Sequence, residues 1–235
     1  MATHTRHTPS PTWSSVDAYA LTHTHPATRP NAAILAQTLA ASAAAGLPEI
    51  SVSAAQGKFL ALHCRAARVT RALEVGTLGG YSAIWLASEN PGLHVTSVEV
   101  NPVHAEVARG NVKAAGLEGR VEVVLGSGVD VLGRLKGEVE RGERERFGFV
   151  FVDADKENNW EYVKLAKKMV GSGGVICVDN IVRRGKLVEE GSQEAGVLGS
   201  RRVVENVGRE EGLDAVVLQT VGEKSYDGWL WIVVE

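Results

Sequence analysis

Two stretches of this 235-residue chain gather residue types that can do chemistry. The first is Arg71-Ala72-Leu73-Glu74-Val75-Gly76-Thr77-Leu78-Gly79-Gly80-Tyr81-Ser82, an apolar run that breaks into glycines. Glycines at the end of a strand let the backbone approach a ligand closely. Their spacing departs from the Gly-x-Gly-x-x-Gly of pyrophosphate-binding loops. Glu74, two residues before Gly76, would repel a pyrophosphate and can hold an ammonium, directly or through water. A cationic amino acid therefore fits this loop better than a phosphate does. Glu99 closes the next apolar run and is placed for a two-oxygen hydrogen bond to a ribose diol, a group shared by nicotinamide and adenosylmethionine cofactors. The plainer alternative is that these glycines only serve a tight turn.

The second stretch is split between two apolar runs. Val150-Phe151-Val152 is followed by Asp153-Ala154-Asp155-Lys156-Glu157-Asn158, and Val175-Ile176-Cys177-Val178 by Asp179-Asn180. If the two runs are neighbouring strands, Asp153, Asp179 and Asn180 converge. Two carboxylates and an amide oxygen are hard ligands suited to Mg²⁺, Mn²⁺ or Ca²⁺. Without a cation, adjacent carboxylates repel and one tends to protonate. The alternative is that these acids cap helices, as Asp155 or Asp179 can.

The elements that must position these residues are legible as alternating patterns. A helix is expected over Ser53 to Ala67, followed by the Arg71 strand. Further strand and helix runs alternate: His94 to Val100 with Pro102 to Ala115, Val121 to Leu125 with Val129 to Lys136, Phe147 to Val152 with Asn158 to Val170, and then Gly174 to Val178. Such alternation predicts a mostly parallel sheet with helices on both faces. Ala215 to Thr220 and Trp229 to Val234, joined by a turn over Gly222 to Gly228, read as an antiparallel hairpin on one sheet edge. Before the core, Ser14 to Ala45 is rich in alanine and broken at Pro26 and Pro30, which predicts two short capping helices. One domain over 1–235 is expected, divided into an arm (1–12), cap helices (13–50) and a catalytic core (51–235).

Hydrophobic residues make up 44% and charged residues 23% of a chain whose net charge is -3. That balance gives nucleic acid no concentrated basic surface to bind. No run of about 18 apolar residues is present to span a membrane, and the polar, His- and Thr-rich start has no secretory core. A cytoplasmic protein is expected. His4, His7, His23 and His25 are read as solvated sequence and not as metal ligands. Cys64 and Cys177 are read as buried free thiols. The charge-dense Arg134 to Arg146 stretch mixes signs and is read as a solvated helix end.

The separated motifs, together with Val178-Asp179-Asn180 and Tyr226-Asp227-Gly228, resemble the caffeoyl-coenzyme A and catechol O-methyltransferase-like family of class I, cation-dependent methyltransferases. The resemblance spans about Val52 to Trp231. It implies a Rossmann-like α/β fold with a seven-stranded, mostly parallel sheet of order 3-2-1-4-5-7-6, and a homodimer. It further implies S-adenosylmethionine contacts from Val52, Glu74, Gly76, Thr77, Ser82, Glu99, Ser127 and Asp155, with Asp153, Asp179 and Asn180 on a divalent cation such as Mg²⁺. Members of the family often carry a small apolar residue where this chain has Ser127.

The activity expected is methyl transfer to a catechol-like small molecule or its coenzyme A ester, with Asp153 and Lys156 as catalytic residues. An ion pair of Lys156 with Glu157 or Asp155 is the structural alternative. A ligand-binding protein without turnover and a nicotinamide-dependent oxidoreductase are the competing functions. Trp160, Tyr162, Tyr226 and Trp229 are candidate walls for an aromatic ring. Ring selectivity is expected from the N-terminal arm and from the loop Ile181 to Gly199, where Val182-Arg183-Arg184-Gly185-Lys186 is basic enough to meet an acidic substrate.

Overall fold

The structure is a computed structural model that describes residues 10–235. Seven strands form one sheet: β1 (Arg71–Val75), β2 (His94–Glu99), β3 (Val121–Leu125), β4 (Phe147–Val152), β5 (Val170–Val178), β6 (Leu213–Val221) and β7 (Tyr226–Val234). Their order is β3-β2-β1-β4-β5-β7-β6. All pairings through β5 are parallel, and β7 runs antiparallel between β5 and β6. The fold is thus the Rossmann-like arrangement implied by the motifs. Residues 1–9, including His4, His7 and most of the expected arm, lie outside the described residues.

Helices cover both faces. They are α1 (Pro11–Thr24), α2 (Ala32–Ala44), α3 (Ala54–Ala66), α4 (Tyr81–Glu89), α5 (Pro102–Ala114), α6 (Gly128–Glu140), α7 (Asn159–Met169) and α8 (Ala195–Val207). Their starts follow from local chemistry. Ser53 caps α3 in a reciprocal box with Gln56, and Asn101 caps α5 with Pro102 at its first turn. Pro11 already belongs to α1, so the expected arm ends earlier than residue 12. The central strands β1 and β4 are buried on both faces, and two apolar clusters lie on opposite sides of the sheet around Leu73, Val150 and Ile176 and around Trp85, Phe149 and Phe151.

One element was not expected. Gly196 and Gly199 and a run of valines lower helix propensity between Ala195 and Val207, yet α8 forms there and buries Val197, Val203 and Val207 on one face. It is the crossover that carries the chain from β5 to the hairpin. Among the described residues, no helix is long and apolar enough to cross a membrane.

One buried carboxylate gathers several of the ties between the N-terminal segment and the core. Glu89, at the end of α4, meets Arg29 at 3.2 Å, Lys58 at 3.2 Å and Arg65 at 2.6 Å, and Asn31 donates to it at 3.1 Å. His25 stacks near Trp85, with ring centroids 4.6 Å apart, and the His23 ring bonds to Tyr19 O within α1. These two histidines serve packing and helix structure. Cys64 and Cys177 are free and buried, and burial pushes the Cys64 thiol up to about 12.

Candidate active site

The site lies beyond the carboxyl ends of β1, β2, β4 and β5, where ligands bind in open α/β sheets. Past β1 the chain turns sharply. Gly76 has φ +104°, and a Cβ there would stand 2.1 Å from the Asp153 carbonyl oxygen. Leu78 adopts φ 49° and Gly80 φ 81° before α4 begins. This turn brings the backbone N–H of Leu78 to Glu99 Oε2 at 2.8 Å, while Asn101 N–H reaches Oε1 at 2.9 Å. Glu99 is therefore fixed by two backbone donors as it faces the cavity.

That first cavity holds about 430 Å³. Six of the eight residues expected to contact the methyl donor line it: Val52, Gly76, Thr77, Ser82, Glu99 and Asp155. Glu74 and Ser127 are not in its wall. Glu74 is wholly buried, 0% exposed, because β1 is covered on both faces and its register partner is Ser97 of β2. The Ser82 hydroxyl donates to Glu74 Oε1, and Ser97 Oγ donates to Oε2 at 2.5 Å. Ser97 has one proton to give, so the Thr77 hydroxyl, 2.6 Å away, donates to Ser97 in turn. Glu74, expected to hold an ammonium directly or through water, is therefore not part of the cavity wall: Ser82 and Thr77 face the cavity, and Glu74 is hydrogen-bonded to Ser82 and, through Ser97, to Thr77. Burial raises the Glu74 carboxyl to about 7, against the lowering effect of the two serines. Ser127 caps α6, accepting a hydrogen bond from Asp130 N at 3.4 Å, while its neighbours Gly126 and Gly128 line the cavity.

Asp155 sits on the opposite wall with both oxygens engaged. Tyr162 OH donates to Oδ1 at 2.5 Å, and Asn158 Nδ2 donates to Oδ2 at 2.5 Å. Tyr162 is therefore a wall of the first cavity. A Cβ on Gly128 would come within 2.7 Å of its ring, which explains a glycine at that position.

The parallel pairing of β4 with β5 sets Asp153 and Asp179 side by side just past Val152 and Val178. Burial and the neighbouring Asp153 push the Asp179 carboxyl up to about 7. Asn180 follows with φ 55°, a left-handed conformation that asparagine tolerates better than most residues. Lys156 Nζ donates to Asp153 Oδ1 at 2.8 Å, so its ion-pair partner is Asp153, not Asp155 or Glu157. The backbone of Lys156 is braced by α8: a Cβ on Gly199 would lie 2.1 Å from the Lys156 carbonyl oxygen. Among the described residues, no three His, Cys, Asp or Glu side chains gather as a metal cage; the trio consists of two carboxylates and an amide.

A second cavity of about 830 Å³ adjoins the first, and Ile50, Ser51, Val52 and Asn180 border both. Asp179, Phe59, Trp229 and the Arg183–Arg184 pair also line it. Of the aromatic residues singled out in the sequence, Trp229 faces this second cavity. Trp160 packs against the core, and the Tyr226 hydroxyl bonds to Gln219. The sequence reading missed Ile50, Ser51, Phe59 and Asp17, which reach the cavities from separate elements and share no local motif.

The sheet order, the glycine turn and the paired cavities define a class I methyltransferase architecture. The sequence model of the O-methyltransferase family matches residues 25–224. The chain is 53% identical to the O-methyltransferase imqG of Aspergillus flavus, an alignment covering 96% of this chain and 92% of that protein. It is 47% identical to a catechol O-methyltransferase of Mycobacterium tuberculosis over 85% of this chain and 88% of the relative. Its structure superposes on an O-methyltransferase from Bacillus cereus in complex with SAH at a TM-score of 0.87 and 41% identity, covering 95% and 99% of the two chains. The chain belongs to the O-methyltransferase family and is an O-methyltransferase.

Proposed function

We propose that this enzyme transfers a methyl group from S-adenosylmethionine to one hydroxyl of a vicinal dihydroxy aromatic compound, with a divalent cation held by Asp153, Asp179 and Asn180. The observation that carries this reading is the pairing of Asp153 with a buried Asp179 at the border of two joined cavities. A carboxylate raised to about 7 by burial and by a like charge is a group that a cation would stabilise. Three oxygen donors match Mg²⁺ first, with Mn²⁺ and Ca²⁺ chemically acceptable. The donor side fits as well: Glu99 and Asp155 give the first cavity negative charge, which suits a ligand bearing an ammonium and a sulfonium. The SAH-bound relative from Bacillus cereus supports the same donor.

The donor supplies an already activated methyl group, so the protein contributes chiefly alignment. A bound cation would make a coordinated hydroxyl more acidic. Ser82 and Thr77, each backed by a buried hydrogen bond, and Asp155, held by Tyr162 and Asn158, hold the donor from fixed positions. Val52 and Asn180 border both cavities and orient the two reactants toward each other. Lys156 would take the proton that leaves the hydroxyl only as the neutral amine, once a bound cation replaces it as the partner of Asp153. The homodimer implied by the family likeness belongs to this proposal; the edge strand β6, with Val216 and Leu218 exposed on one face, is where a second copy would pack.

The reading is tested by comparing methylcatechol with a monophenol of the same size. Methylation of the diol only is expected. Equal rates on both would remove the requirement for two oxygens.

A further inference from the structure

The glycine turn after β1 has two sides. Gly76, Thr77, Leu78, Tyr81 and Ser82 line the first cavity, whereas Gly79 and Gly80 do not. Those two glycines face helices. A Cβ on Gly79 would stand 2.1 Å from Ser42 Oγ and 3.1 Å from Ser42 Cβ on α2, and a Cβ on Gly80 would lie 3.5 Å from Ala108 Cβ on α5. Gly80 also needs glycine for its φ of 81°. Gly79 is not held in the left-handed region, so space and not conformation calls for glycine there.

Asn111 closes this joint. It follows Ala108 by three residues, so both lie on the same face of α5, and it is buried, as is Ser42. Asn111 Nδ2 donates to the Gly79 carbonyl oxygen at 2.8 Å and to Ser42 Oγ at 3.3 Å, and Ser42 Oγ donates to Thr38 O at 2.8 Å. An amide NH₂ carries two protons, enough for both bonds. Asparagine is a poor helix former, and a buried amide costs stability unless it is hydrogen-bonded; the Gly79 carbonyl is the partner that accounts for it here. The other end of α5 meets the donor cavity too. Asn101 N–H reaches Glu99 Oε1 at 2.9 Å, and Leu78 N–H, from the glycine turn, reaches Oε2 at 2.8 Å. The turn is thus held by Glu99 on its cavity side and by Asn111 and Ser42 behind.

We propose that Asn111 and Ser42 are positioning residues for the methyl donor: from α5 and α2 they set the back of the glycine turn, and the cavity wall in front keeps its donor-binding shape only while they do. The inference rests on the reading that the first cavity holds S-adenosylmethionine. Affinity for S-adenosylhomocysteine is measured by calorimetry on the intact chain, well below the melting temperature and with no acceptor present. The variants are Asn111→Ala, Gly79→Ala, and Gly79→Ala combined with Ser42→Gly. In the last, the added methyl fills space that the Ser42 side chain leaves. Asn111→Ala introduces no clash, so it carries the test should a glycine variant fail to fold.

Kd should rise about tenfold in Asn111→Ala and in Gly79→Ala, the effect of one hydrogen bond. Adding Ser42→Gly to Gly79→Ala should recover most of the lost affinity. A purely structural role would lower the melting temperature and leave the affinity of the folded chain unchanged. Unchanged Kd in folded Asn111→Ala, or no recovery in the double variant, would therefore overturn the inference while leaving the donor reading intact. Failure of the parent to bind S-adenosylhomocysteine would overturn that reading and this inference with it.

Discussion

The Ser82 hydroxyl donates to Glu74, and it is Ser82, not Glu74, that faces the donor cavity. The acid that marks the glycine loop in the sequence thus lies behind the cavity wall. Ser82→Ala would strip a buried carboxylate of one of its two hydroxyl donors, at a cost of about 1–3 kcal/mol. Urea denaturation should show that loss. It should shrink when Ser82→Ala is made in a Glu74→Gln background, because no charge then needs the hydroxyl. Full additivity of the two substitutions would contradict the pairing.

Burial also gives Glu74 a pH signature. Its carboxyl rises from 4.5 to about 7 on folding. Between these values the folded chain keeps a proton that the unfolded chain has released, so stability from this group falls as pH rises through the window and levels off above it. The full change is on the order of 3 kcal/mol. Stability measured against pH should therefore slope less in Glu74→Gln than in the parent. Identical slopes would mean that Glu74 is ionised in the folded state at acid pH.

Tyr162 and Asn158 together hold both oxygens of Asp155. Tyr162→Phe keeps the ring against Gly128 and removes only the hydroxyl. KM for the methyl donor should rise several-fold, with kcat changed by less, and stability should fall by about 1–2 kcal/mol. A fall in kcat with unchanged KM would place Tyr162 in the transfer step instead.

Cation affinity should itself depend on pH. The raised Asp179 carboxyl must lose its proton to bind a cation, so affinity should increase with pH up to about 7 and then flatten, with about tenfold per unit as the limit for one proton. Calorimetric titration with Mg²⁺ in buffers of different ionisation heat reads the proton released. No proton release at pH 6 would contradict binding of the cation to an Asp179 carboxyl raised by burial.

Gly76→Ala is expected to be the most damaging single change at the loop. Its Cβ would meet the Asp153 carbonyl at 2.1 Å, at a backbone φ of +104°. A loss of more than about 3 kcal/mol should follow, seen as a lower melting temperature. A normal melt would mean that the two strand ends stand further apart.

Much of this was readable before the fold was known. The apolar runs ending in Asp153 and Asp179 read as strands of a mostly parallel sheet, whose adjacency the β4–β5 pairing supplies, and the glycine turn after β1 borders the first cavity. What escaped the sequence depends on contacts across the chain. Glu74 sits in a strand buried on both faces, and only its register with Ser97 reveals that its carboxylate is met by serine hydroxyls and lies outside the cavity wall. Helix α8 hides behind two glycines that local propensity counts against it, although Gly199 is required by its approach to the Lys156 backbone. Asp17 joins the second cavity by accepting a hydrogen bond from Glu223, 206 residues away in sequence, a distance no motif spans.

The most direct test of the central claim is methyl transfer to methylcatechol with Mg²⁺, repeated with excess chelator and again after the cation is restored. A cation held by Asp153, Asp179 and Asn180 predicts loss of activity with chelator and its recovery with Mg²⁺. Equal rates in the presence and absence of chelator would contradict it.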